Sequence, residues 1–158
     1  MNRKMFLTLL FTIFILIGCN SQSITLTEKS EYEDVIPSYV EIENFSVEMN
    51  ATVVTSSTHV EEVLLEINNL GTDNVGFGEY YQIEKRQDDG WYKIPFLDNV
   101  AFIDIGYFIH PGVSEEMKIL TKNLDYHFPT GQYRIIKDFW TDEGVPYTLA
   151  YEFNITME

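Results

Sequence analysis

The 158-residue sequence is poor in the side chains on which most catalytic and metal centres depend. It has one cysteine, Cys19, so no disulfide can close within the chain. Its three histidines, His59, His110 and His127, stand too far apart for the paired ligands of a helical zinc site, and partner thiolates are missing. Neither Ser114 nor the Ser56-Ser57 pair sits in a G-x-S-x-G context. Gly76 and Gly78 run into strand-like sequence, so they lack the helix N-terminus that would cradle a phosphate. Asp88-Asp89, Asp98 and Asp104 do not follow the calcium-loop pattern. Asp125 and His127 are expected in a solvated loop. No catalytic residue, metal site or cofactor is expected.

Positive charge is scarce as well. Ten Lys and Arg face 25 Asp and Glu, a formal net charge of −15. Such a surface repels phosphate backbones and anionic lipid headgroups, which excludes nucleic acid as an expected partner. It keeps the protein soluble and suits a cation or a basic partner.

Also missing is any apolar run long enough to span a bilayer, which takes roughly 20 residues. Met5–Ile17 is shorter, follows Arg3 and Lys4, and gives way at once to Asn20-Ser21-Gln22-Ser23. That is the layout of a secretory signal. Leu16-Ile17-Gly18-Cys19 resembles the lipobox of bacterial lipoproteins. The resemblance implies cleavage before Cys19 and attachment of diacylglycerol to its thiol, a membrane partner held through lipid. Cleavage would remove Arg3 and Lys4 and leave 8 basic against 25 acidic residues, a net of −17. The expected organisation is a signal peptide over 1–18, a flexible acidic tether over 19–38 closed by Pro37, and one domain over 39–158.

What the domain does have is period-two alternation. Val40 and Ile42 alternate with glutamates. After Asn44 the phase flips to Phe45, Val47 and Met49, as a β-bulge or a crossing between sheets would produce. Val63, Leu65 and Ile67 share one face, although VEEVLLEINN is open to a helical reading. EYYQIEKRQDDGWYKIPF reads as a hairpin with Asp89-Gly90 at its turn. Glu115, Met117 and Ile119 share a face, and Tyr147, Leu149, Tyr151, Phe153 and Ile155 alternate without a miss. About seven short strands separated by turns predict an all-β, immunoglobulin-like antiparallel β-sandwich. The expected core is Val63, Leu65, Ile67, Ile83, Trp91, Tyr133, Ile135, Leu149, Tyr151 and Phe153. In FPTGQYRI, Tyr133 resembles the tyrosine corner, whose hydroxyl ties back to upstream backbone.

The residues Asn68-Asn69-Leu70-Gly71, Phe77-Gly78, Tyr81-Gln82-Ile83-Glu84-Lys85, Gly90-Trp91-Tyr92, His110-Pro111-Gly112 and Leu124 to Lys137 resemble, in that order, a bacterial immunoglobulin-like domain of secreted proteins and lipoproteins. The resemblance implies the sandwich and an extracytoplasmic setting. It brings no catalytic or ligand-binding residues. Residues 97–112 pack Phe102, Ile103, Ile105, Tyr107, Phe108 and Ile109 almost without charge, which fits either a buried strand or an exposed patch for a protein partner. The expected function is a monomeric, lipid-anchored, non-enzymatic interaction module that meets another envelope protein. The alternative is an accessory lipoprotein that holds a small ligand or cation.

Overall fold

A computed structural model describes residues 25–56 and 59–156. The expected signal peptide, Cys19 and Ser57 lie outside those residues. Among the described residues, no helix is long and apolar enough to cross a membrane.

Alternating side chains build two antiparallel sheets, as β-branched and aromatic residues favour. The smaller sheet has the order β1 (Tyr39–Ile42), β2 (Phe45–Thr55), β3 (Val60–Asn69) and β8 (Ser114–Leu120). The larger contains β4 (Val75–Phe77), β5 (Gln82–Gln87), β6 (Gly90–Lys93), β7 (Tyr107–Ile109), β9 (Gly131–Trp140) and β10 (Pro146–Ile155). β10 pairs with all of β9, from Gly131 opposite Ile155 to Trp140 opposite Pro146. One edge of β9 is therefore filled, and β5 and β4 lie end to end along the other. Beyond β5 comes β6, and beyond β4 comes β7.

Among the described residues the sandwich has ten strands, where the alternation suggested about seven. The strands that alternation did not announce are β4 and β7, which have three residues each, too few for a period of two to register. VEEVLLEINN is a strand throughout. The phase flip at Asn44 is neither a bulge nor a crossing. It is a two-residue hairpin turn, with Ile42 opposite Phe45 and Glu43 at φ 53°. The β5–β6 turn is Asp88-Asp89, one residue earlier than expected; Gln87 pairs Gly90, and Gly90 alone takes the positive φ, at 146°.

Between the sheets, Val47, Met49, Val63, Leu65 and Ile67 face Ile83, Tyr133, Ile135, Phe139, Leu149 and Phe153. Each such side chain is worth about 1.5–3 kcal/mol when withdrawn from water. Of the ten expected core residues, Tyr151 is half-buried and the others are buried. Trp91, however, is buried outside the inter-sheet core. Tyr133 donates its hydroxyl hydrogen to the Pro129 carbonyl four residues upstream, at 2.5 Å. Burial pushes that hydroxyl well above the usual tyrosine pKa. Ile135 fills the place two residues on with no exposed area.

Candidate functional site

Strict alternation along β5 and β9 sends Glu84 and Arg134 to the outer face of the larger sheet, where water would be expected. Both are instead fully buried. Arg134 Nε and one terminal nitrogen each lie 2.7 Å from Glu84 Oε2. The other terminal nitrogen donates to the carbonyls of Glu33 and Asp34 at 3.0 and 3.1 Å, while the nitrogen that faces Glu84 also donates to Ser30 Oγ at 3.2 Å. The Trp91 indole lies over the guanidinium, 4.5 Å away, and its Nε1 donates to the Asp34 carbonyl.

The cover is the N-terminal segment itself. Residues 25–38, expected to be a flexible tether, form a docked strap. Its first part adds antiparallel to the edge of β6: Ser30 N–H donates to the Trp91 carbonyl, and Lys93 N–H to that of Glu28. Lys93 Nζ pairs with Glu28 and Glu31, both at 3.0 Å, and Glu31 followed by Glu28 raise its pKa. Leu26 is buried in the core cluster, and its carbonyl accepts from the Gln87 side chain. Arg86 holds Asp34 at 2.7 Å and depresses its pKa. The strap then crosses to β10, where Ala150 N–H meets the Pro37 carbonyl. Backbone carbonyls and carboxylates do the docking, so a tract that looks polar enough to be free is bound.

On the opposite side of the molecule, the sheets part between β7 and β8 and leave a recess of about 520 Å³. Its lining includes Phe77, Tyr81, Phe102 and Met117, with Glu79, Glu115 and Glu116 among them. Phe96 and Phe102, 5.0 Å apart edge to face, pack against Tyr81 and fasten the loop from 94 to 106. Burial raises the Tyr81 pKa to about 12. Outside this cluster Ile103, Ile105 and Phe108 remain exposed, at 54%, 48% and 52%. The segment 97–112 is thus largely an exposed patch, with Ile109 its buried residue.

A family model described as "Bacterial Ig-like domain" matches residues 41–154. The chain belongs to that family. Two solved structures are similar to it. A structural genomics target, SoR45, is 11% identical, with 74% of this chain and 90% of that one covered and a TM-score of 0.43. The archaellum periplasmic stator protein FlaG from Sulfolobus acidocaldarius is 17% identical, with 68% and 99% covered and a TM-score of 0.40. No curated protein matches.

In this Ig-like domain the polar residues singled out by sequence fall into separate places. His59, Glu61, Asp125 and His127 line a second recess of about 480 Å³ beside Phe128. His59 Nδ1 lies 2.9 Å from Ser56 Oγ. Among the described residues, no three His, Cys, Asp or Glu side chains are placed to hold a metal ion. His110 Nδ1 meets Asn74 Oδ1 at 2.9 Å, and Ser114 donates to the Asn68 side-chain carbonyl, so neither addresses the other. Asp88 and Asp89 form the β5–β6 turn; the Tyr92 hydroxyl donates to Asp89 and lowers its pKa.

Sequence reasoning missed Arg134, Glu84 and the strap. The available signal was a charged residue on each of two adjacent central strands, Arg134 in QYRII and Glu84 in YQIEK. Two opposite charges in register across a sheet ask for a lid once both are withdrawn from water.

Proposed function

We propose that this Ig-like domain is a non-enzymatic interaction module of the cell envelope, tethered to the outer face of the membrane by lipid on Cys19. The exposed patch at Ile103, Ile105 and Phe108 carries the first half of the reading. Aromatic and aliphatic side chains left exposed along one segment of a domain whose core is otherwise buried support a protein-binding surface. The lipobox-like Leu16-Ile17-Gly18-Cys19 supports the second.

The strap adds a distance limit. Six residues separate Cys19 from Leu26, the first residue of the strap packed against the domain, so the connection between them can span at most about 25 Å. A domain on such a leash meets partners that lie close to the membrane.

Mass analysis of the mature protein from its own cells tests the anchor. The expected N-terminus is Cys19 carrying diacylglycerol, and Cys19→Ala should remain uncleaved or be released from the membrane fraction. A mature chain beginning elsewhere, or an unmodified Cys19, contradicts it.

A second reading, an accessory lipoprotein for a small ligand or cation, draws on the recess lined by Glu79, Glu115 and Glu116. It requires a saturable rise in melting temperature with divalent cations or small amines. A flat response removes it.

A further inference from the structure

The recess between β7 and β8 is flanked by two strand edges. β7 is bonded to β4 and β8 to β3, and among the described residues each has its second side open. Register adds an unusual feature. On β8 the residues facing the other sheet are Ile119 opposite Val63, Met117 opposite Leu65, and then Glu115 opposite Ile67. Alternation therefore places a carboxylate on the core-facing side of an edge strand, at the mouth of the sandwich. Glu79 and Glu116 line the same recess, against one ammonium, that of Lys118. An inward charge on an edge strand commonly guards against edge-to-edge aggregation. The carboxylates of Glu115 and Glu79 over a floor of Ile67, Phe77, Tyr81, Phe102 and Met117, with Glu116 on the outer face of the same edge, do something more specific, because they fix the sign of what can enter.

We propose that this recess is the docking site for an extended segment of a partner protein in which Lys or Arg alternates with apolar side chains, laid along the free edge of β8. The β8 backbone would bond the segment as an added strand, and alternate side chains would point into the mouth. A Lys or Arg stem matches the apolar floor while its head reaches Glu115. Tyr107, the exposed β7 residue that lines the recess, extends the apolar contact at its rim. A lipid surface is the poorer occupant, since a chain of net charge −15 with an acidic rim gains nothing from anionic headgroups. The proposal deepens the interaction-module reading and rests on it, but not on the lipid anchor.

The test uses the full chain, with its N-terminus as made in its own cells, in nanodiscs of zwitterionic lipid. Two labelled octapeptides are titrated by fluorescence anisotropy, one alternating lysine with valine and one alternating glutamate with valine. Hydrogen exchange is recorded on the same samples. The lysine peptide should bind saturably, weaken as salt rises, and slow exchange across residues 114–120. The glutamate peptide should not bind. The double substitution Glu115→Gln/Glu116→Gln should weaken the lysine peptide about tenfold. Equal binding of both peptides, no effect of the double substitution, or protection elsewhere than β8 overturns the proposal. So does a photoreactive group at Tyr107 that labels lipid instead of peptide. A failed anchor would read differently, as an unmodified Cys19 by mass with peptide binding intact.

Discussion

Arg134 and Glu84 meet through two 2.7 Å contacts on one carboxylate oxygen, and neither side chain has any exposed surface. The other oxygen of Glu84 accepts from Gln82 Nε2, and the rest of the guanidinium is taken up by the strap. The ion pair and the strap depend on each other: the strap excludes water from the pair, and the pair supplies donors for the strap's carbonyls. Removing one partner strands a buried charge. Arg134→Met should cost about 3–5 kcal/mol, whereas Arg134→Met/Glu84→Met should recover most of it. Urea midpoints of the four members of this cycle check the coupling. Equal losses in the single and double variants would remove the pair from the account.

The strap should also depend on its apolar foot. Leu26 is 7% exposed and belongs to the core cluster. Leu26→Ala is expected to lose about 2 kcal/mol, the lower end of the range for such truncations because the site lies at the rim. The Ser30 amide, which donates to the Trp91 carbonyl, should then exchange faster while the amides of β9 keep their order of protection. A free tether would leave the Ser30 amide unprotected in both forms.

Much of this architecture can be read directly from residues. Val63, Leu65 and Ile67 announce a core-facing strand, and Tyr147 to Ile155 another, because one face of each is apolar without exception. Trp91 was legible as buried, but by size and not by place; what covers it is Arg134 and the strap. The strap itself was hidden because Glu28, Glu31, Glu33 and Asp34 dock through carboxylates and carbonyls, and hydrophobic patterning does not register those. The patch at 103–108 was ambiguous for the opposite reason. Its apolar residues fit a buried strand equally well, and only the way Phe96 and Phe102 pin the loop leaves Ile103 and Ile105 outside.

Lys137 offers a prediction about pH. It shares the inner face of β9 with Ile135 and Phe139, and its Nζ donates to the carbonyls of Gly78 and Tyr80. Burial lowers its pKa to about 8, against 10.5 in an unfolded chain. Between those values the unfolded chain holds a proton that the folded one has released. Stability should therefore rise with pH from about 8 upward, by at most about 3 kcal/mol across the window. Tyr81 and Tyr133, with pKa values raised by burial, act the other way above pH 10, so the readable interval is pH 8 to 10. Urea midpoints should climb over that interval and stay level in Lys137→Met. A wild-type midpoint that falls from pH 8 to 9.5 contradicts this.

Tyr133→Phe separates the hydroxyl from the ring. The ring is wholly buried against Phe128 and Phe153, at 5.5 and 5.9 Å, and stays in the variant. The bond to the Pro129 carbonyl is lost. A deficit of about 1 kcal/mol is expected from thermal or urea unfolding. A deficit near zero would mean that the hydroxyl does not fix this corner.

The central claim is that a short leash and a docked strap hold an Ig-like domain close to a membrane. Under the proposed anchor lipid occupies the Cys19 thiol, and Asp88→Cys then introduces a single labelling site at the β5–β6 turn, beside Gln87, which holds Leu26. Energy transfer from that label to an acceptor in the headgroups of reconstituted vesicles measures its height. With a connection of at most about 25 Å, transfer should be strong, and inserting twelve Gly/Ser residues between Ser23 and Ile24 should weaken it markedly. Transfer that is absent in the native chain, or unchanged by the insertion, would contradict the account.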